Sequence, residues 1–131
     1  MDCPTCGAPV VAFPIPPAVR DAMPDDRPGA AICTRCLAVT PTDDPPDDYP
    51  DLREVSDAFP ADGEGAATVA ALLALLDRLA LYRTEIESIA RHAEALGVDV
   101  MLTLDRLATD DGLDPHLDLD RRRPQLEQFL V

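Results

Sequence analysis

Four cysteines, arranged as two pairs with the same internal spacing, constrain the fold of this chain more than any other feature. The pairs are Cys3-Pro4-Thr5-Cys6 and Cys33-Thr34-Arg35-Cys36. Two intervening residues let both thiolates of a tight turn point at one ion, and the segment between the pairs is long enough for a hairpin that returns the second turn to the first. The sequence therefore predicts a structural zinc site, with one Zn²⁺ per chain bound by Cys3, Cys6, Cys33 and Cys36.

The residue that follows each cysteine turn supports this prediction unequally. Gly7 follows the first cysteine turn, and such turns often need a left-handed backbone at this place, which glycine adopts at no steric cost. Leu37 stands at the equivalent place after the second cysteine turn, where a side chain disfavours that backbone. The second turn is thus predicted from its spacing alone.

The sequence gives less support to other roles of the four cysteines. A thioredoxin-like redox pair needs a longer strand and helix alternation, which this chain lacks. No secretory signal precedes Cys3, so we expect the thiols to lie in a reducing cytoplasm, where disulfides are rare. Iron remains an alternative, because rubredoxin-like electron carriers use the same thiolate ligands. The chain has no tryptophan and only Phe13 between the cysteine turns, whereas a rubredoxin packs several aromatic residues around its iron.

The composition is strongly acidic. Asp and Glu number 25 against 11 basic residues, all of them arginine, and the formal net charge is −14. Disorder cannot cover the whole chain, because 47% of the residues are hydrophobic and the acids lie within patterned segments. Dense carboxylates with arginine as the cation resemble proteins of salt-loving archaea, where a Debye length of about 3 Å in molar salt screens the repulsion. The acidity therefore indicates adaptation to a salt-rich solvent rather than a charged binding partner.

Shifts in composition divide the chain into three zones. Residues 1–40 are predicted to form a zinc ribbon of short β-hairpins, in which residues 10–15 and 30–32 are strands and a short helix over 18–23 follows Pro17. Residues 41–65 are an acidic, proline-rich connector. Within it, Leu52, Val55 and Phe59 have helical spacing and are expected to dock on a neighbouring element.

Residues 66–131 form the third zone, which is predicted to be all helical. The uncharged run from Ala66 to Leu76 is too short to span a bilayer and indicates a buried helix. Apolar residues then keep one unbroken heptad phase, which favours a single long helix that ends at Gly97. The alternative is a break at Thr84, whose side chain could cap a new helix in a capping box with Glu87.

Two further helices complete this zone. Asp99 is predicted to cap a second helix, which folds back against the first as a helical hairpin. A terminal helix with Pro124 in its first turn would make a three-helix bundle. A second apolar face on the first helix belongs either to the core or to a homodimer interface, and we favour the core; it consists of Val69, Leu73, Leu76 and Ala80.

The basic and histidine residues give little sign of catalysis. The basic cluster Arg121–Arg123 has no interleaved aromatic residues, so a solvated face is favoured over a phosphate-binding site. Arg20 and Arg35 could offset the negative charge of a four-thiolate site. His92 and His116 lie in polar surroundings without a local nucleophile, and we expect both to be solvated surface residues. The sequence therefore predicts a protein without enzymatic activity.

The cysteine turns, each taken with its following residue, resemble those of the small CPxCG-type zinc-finger proteins of haloarchaea. Residues 76–81, 104–107 and 121–128 are similar to an uncharacterised haloarchaeal family with that architecture, and the similarity covers nearly the full length. It implies a zinc ribbon and a salt-adapted cytoplasm, and it brings no known activity.

The sequence thus predicts a small α+β fold, with a zinc ribbon followed by helices. Its predicted role is that of a non-catalytic zinc-binding adaptor whose partner is a protein. Two alternatives come from other classes of protein: a ribbon that binds nucleic acid through its arginines, and a rubredoxin-like iron electron carrier.

Overall fold

The chain folds as a small α+β protein, in which a three-stranded antiparallel sheet is followed by four helices. The computed structural model describes residues 2–130, without the side chains of residues 129 and 130. The strands are β1 Val10–Pro14, β2 Gly29–Cys33 and β3 Val39–Thr42. The helices are α1 Gly63–Leu76, α2 Arg83–Ala95, α3 Val100–Ala108 and α4 Leu119–Leu130, and short 3-10 helices cover Pro17–Ala22 and Leu52–Glu54.

The sheet has the order β1-β2-β3, with the fully buried strand β2 in the centre. Both strands expected from the apolar runs are confirmed, as is the short helix after Pro17, whereas β3 was not anticipated. A Cβ atom at Gly29 would lie 2.3 Å from the Cβ of Pro45 and 2.7 Å from the carbonyl oxygen of Phe13. Only glycine therefore lets the chain after β3 pass this closely over the central strand.

The prediction of one continuous helix up to Gly97 is wrong, because the chain turns between α1 and α2. The break does not use the expected capping box either, since α2 begins at Arg83 and Tyr82 precedes it without a side-chain cap. Glu64 at the start of α1 contacts His92 at the end of α2, so the two helices are antiparallel. The physical reason lies in α1, which is apolar on every side and needs α2 as a cover.

The end of α2 and the start of α3 lie where the sequence predicts them, whereas α4 differs from its prediction. Gly97 has φ +88° just beyond α2, and the Asp99 carboxylate accepts a hydrogen bond of 3.0 Å from the backbone N–H of Leu102. Asp118 accepts the N–H groups of the first turn of α4. The prediction that Pro124 lies in the first turn of this helix is wrong, because Pro124 lies inside α4. The helical part also contains four α-helices, one more than predicted.

One apolar core joins the sheet to the helices. It includes Phe13 and Ile32 from the sheet together with Leu72 and Leu104 from α1 and α3. The expected docking of the connector is confirmed, and the buried residues concerned are Leu52, Val55 and Phe59. The core assignment of the second apolar face on α1 holds for Val69, Leu73 and Leu76, whereas Ala80 is exposed in the following turn.

Within residues 2–130, every helix is too short or too polar to cross a lipid bilayer.

Candidate metal centre

The antiparallel pairing of β1 and β2 brings the two cysteine turns together, because the first turn precedes β1 and the second follows β2. The four sulfur atoms lie within 4.8 Å of one another. Two sulfur–sulfur distances join the turns: 3.6 Å between Cys3 and Cys36, and 3.4 Å between Cys6 and Cys33. Tetrahedral coordination with metal–sulfur bonds of about 2.3 Å requires sulfur–sulfur edges of about 3.8 Å. The four cysteines are therefore positioned to bind one metal ion.

The two cysteine turns have matching backbones. The N–H of Cys3 donates to Ala8 O at 2.8 Å, and the N–H of Cys33 donates to Ala38 O at 2.9 Å. Gly7 has φ +80°, and Leu37 has φ +62° although it carries a side chain. The second turn therefore adopts the left-handed conformation that its sequence disfavours. The Leu37 side chain is fully buried in the core, and this burial offsets the backbone strain.

Backbone N–H groups point at the sulfur atoms. Thr5 N lies 3.4 Å from the sulfur of Cys3, and Arg35 N lies 3.4 Å from the sulfur of Cys33. Cys36 N also donates to the sulfur of Cys33, at 3.3 Å. Such bonds favour the thiolate over the thiol, because the negative sulfur is the better acceptor. The backbone of each turn thus prepares its cysteines for metal binding.

Cys3 and Cys36, the first and last cysteines of the sequence, have pKa values shifted in opposite directions. Burial raises the pKa of Cys3, but the N–H groups of Cys6 and Thr5 and the neighbouring thiols outweigh it and lower the pKa to about 6. Burial and the neighbouring thiols raise the pKa of Cys36 to about 12, since a further negative charge in the cluster is opposed. A divalent cation removes this repulsion, so metal binding releases protons from the cluster.

All four cysteines are free thiols, and the distance of 3.4 Å between the sulfur atoms of Cys6 and Cys33 far exceeds the disulfide bond length of about 2.05 Å. Cys3, Cys33 and Cys36 are buried, and Cys6 is exposed. The chemistry of the donors, four soft thiolates, suits zinc and iron alike.

Residues from the far end of the chain contact the second cysteine turn. The N–H of Asp114 donates to Arg35 O at 2.7 Å, and the N–H of His116 donates to Cys36 O at 2.8 Å. Sequence reasoning missed this contact. A weak signal exists in Pro115, because proline favours an extended backbone on either side of it, and an extended segment presents alternate N–H groups in one direction.

Arg20, Arg122 and Arg123 form ion pairs or hydrogen bonds within the protein. Arg20 lies 3.8 Å from Asp26, in an exposed ion pair. Arg122 donates to the carbonyl of Asp77 at the end of α1, at 2.9 Å. Arg123 lies 3.5 Å from Asp105 and 3.7 Å from Glu127. Two members of the triple-arginine cluster therefore fasten α4 to the rest of the protein.

The expectation of a solvated surface is wrong for His92 and holds for His116, whose side chain is exposed. The side chain of His92 is only 22% exposed, and its Nε2 lies 2.8 Å from a carboxylate oxygen of Glu64. Tyr49 is close to the same end of α1, where burial and the carboxylates of Glu64 and Asp62 raise its pKa. This cluster joins the connector to the α1–α2 pair.

A cavity of about 110 Å³ lies between the sheet and the C-terminal end of α1. Ile15, Ala30 and Leu75 give it an apolar lining, and Arg27 and Arg78 also contribute to its wall. None of the cysteines lines it, so the cavity and the metal centre are separate features.

Comparison with known proteins places the chain in a family without a known activity. No curated protein and no solved structure matches it. A family model does match, over residues 2–130, and its description is a family of unknown function, DUF6276. Because this match spans the sheet, the cysteine turns and the helices together, the chain belongs to the DUF6276 family.

Proposed function

We propose that this protein binds one zinc ion in a closed, structural site and acts as a non-catalytic adaptor. The supporting observation for the site is that four cysteine sulfurs lie within 4.8 Å of one another and can fill every corner of a tetrahedron. A catalytic zinc keeps one position open for water or substrate, whereas a four-thiolate site leaves none. The metal then holds the two cysteine turns together, beside the paired strands β1 and β2.

Elemental analysis with a visible spectrum tests the choice of metal. Protein purified without added metal is expected to contain one zinc per chain and to be colourless, because Zn²⁺ has a filled d shell. Stoichiometric iron with visible absorption would contradict the proposal and make electron transfer the leading function. Oxidised cysteines with no bound metal would contradict the metal site on which the proposal depends.

The adaptor role rests on the turn between α1 and α2. Leu81 is 69% exposed there, although the other large leucines of this region are buried, and Ala80 beside it is also exposed. Arg122 bonds to the carbonyl of Asp77 at the start of the turn, and Arg78 lies over the Tyr82 ring at 5.2 Å. The turn is thus held in place while it presents an apolar side chain to solvent. We propose that a protein partner makes an apolar contact with Leu81, and the Leu81→Asp variant tests this role.

Leu81→Asp is expected to reduce partner capture about tenfold or more, because a carboxylate would enter an apolar contact. The measurement is quantitative cross-linking and mass spectrometry of the tagged full-length chain in its native cell extract. Ser88→Asp is the matched control, since it adds the same charge at another exposed position. Equal capture by both variants would contradict the role of Leu81, and capture of the chain's own copies would identify a homodimer instead.

We also propose that the protein is of the haloarchaeal CPxCG zinc ribbon type and works in a salt-rich, reducing cytoplasm. The support is the net charge of −14, arginine as the only cation apart from histidine, and the Cys3-Pro4-Thr5-Cys6-Gly7 sequence. Screening at molar salt stabilises a fold with this much excess charge. The zinc measurement is therefore made in molar potassium chloride, and an unchanged unfolding temperature at about 0.1 M salt would argue against salt adaptation.

A further inference from the structure

The second cysteine turn and the segment before α4 are joined by two hydrogen bonds. Asp114 N and His116 N donate to Arg35 O and Cys36 O, at 2.7 and 2.8 Å. Both carbonyls belong to the turn that carries the proposed metal ligands. One of them belongs to the ligand residue Cys36 itself, so the conformation of the turn fixes where these acceptors point.

The same segment leads directly into the C-terminal helix. Asp114 and His116 bond to the second cysteine turn, and at the other end of the same loop Asp110 accepts a hydrogen bond from the hydroxyl of Ser56 in the connector. Leu117 and Leu119 follow at once and are buried in the core, at 7% and 3% exposure. A shift of the second cysteine turn would therefore be transmitted to the beginning of α4.

We propose that residues 114–116 form a backbone latch, which couples metal occupancy of the four-cysteine centre to the docking of the segment that begins α4. This inference rests on metal binding at the proposed site and adds a regulatory consequence to it. Metal binding holds the acceptors of the second cysteine turn in place, and the latch segment docks on them. By thermodynamic reciprocity, docking of the latch raises the metal affinity by the same factor. A partner that displaces α4 would then loosen the metal.

Proline substitutions test the latch because they remove an N–H donor. His116→Pro lacks the bond to Cys36 O, whereas His116→Ala keeps it and controls for loss of the imidazole. One backbone hydrogen bond changes an equilibrium about three- to tenfold. His116→Pro is therefore expected to bind Zn²⁺ about three- to tenfold more weakly in competition with a chromogenic chelator, and His116→Ala is expected to match the wild type. The pair Asp114→Pro and Asp114→Ala repeats the test at the other bond.

Amide hydrogen exchange of the zinc-loaded full chain provides the second readout. His116→Pro is expected to raise exchange about three- to tenfold in peptides covering residues 109–120, while α1 keeps its protection. Equal zinc affinity in the proline and alanine variants would overturn the latch, and so would increased exchange throughout the chain. If the wild type itself binds no zinc, the proposed function fails instead, and the two failures are distinguished by that control.

Discussion

Replacing Cys33 with serine is expected to abolish stoichiometric metal binding and to lower the free energy of unfolding of the whole protein. Cys33 is fully buried, its sulfur lies 3.4 Å from that of Cys6, and it accepts two backbone N–H groups. Serine cannot supply a thiolate, and structural zinc contributes about 10–16 kcal/mol of apparent binding energy to small metal modules. We expect a loss of about 4 kcal/mol or more, which is a large part of the stability of an ordinary domain.

Elemental analysis and urea unfolding followed by circular dichroism measure both effects. Thr34→Ser is the matched control, because it alters the adjacent residue and keeps a hydroxyl for the 2.8 Å bond to Pro9 O. This control should retain its metal and lose little stability. Treatment of the wild type with a strong chelator should reproduce the Cys33→Ser result. A Cys33→Ser protein with one metal per chain and normal stability would show that the cluster is not a structural metal site.

The cysteine spacing was sufficient to predict the cluster, because thiolate chemistry restricts what two such turns can do together. The latch contact at Cys36 could not be predicted, because Pro115 indicates an extended segment but not which distant carbonyl groups its neighbours bond to. Leu37 illustrates the same limit. Its left-handed backbone is unfavourable locally, and the burial of its side chain in the core offsets this strain.

The helices show why periodicity predicted their existence better than their ends. The heptad phase continues from Leu75 to Ile86, and this continuity favoured a single helix. The phase describes one face only, whereas α1 is buried on all sides and needs a partner on more than one face. The chain meets this need by turning back after Leu76. The capping signal at Asp99 succeeded because a cap is satisfied locally, by the N–H of Leu102.

Replacing Phe13 with alanine is expected to lower the free energy of unfolding by about 3–5 kcal/mol. Phe13 is fully buried in β1, opposite Ala30 of β2, and belongs to the core that includes residues of α1 and α3. Its removal leaves a cavity where the sheet packs against the helices, and neighbours as small as Ala30 cannot fill it. In urea the midpoint is expected to fall by about 1–5 M for slopes of about 1–3 kcal/mol/M.

The measurement also tests whether the ribbon and the helices unfold together. Because one apolar core joins them, we expect a single transition that moves as a whole in Phe13→Ala, with zinc still bound at the start of the titration. Leu81→Ala is the control, and its exposed side chain should contribute less than about 0.5 kcal/mol. Two separate transitions, of which only the first responds to Phe13→Ala, would contradict the shared core. They would support instead an independent ribbon over residues 1–40, in which the metal alone maintains the fold.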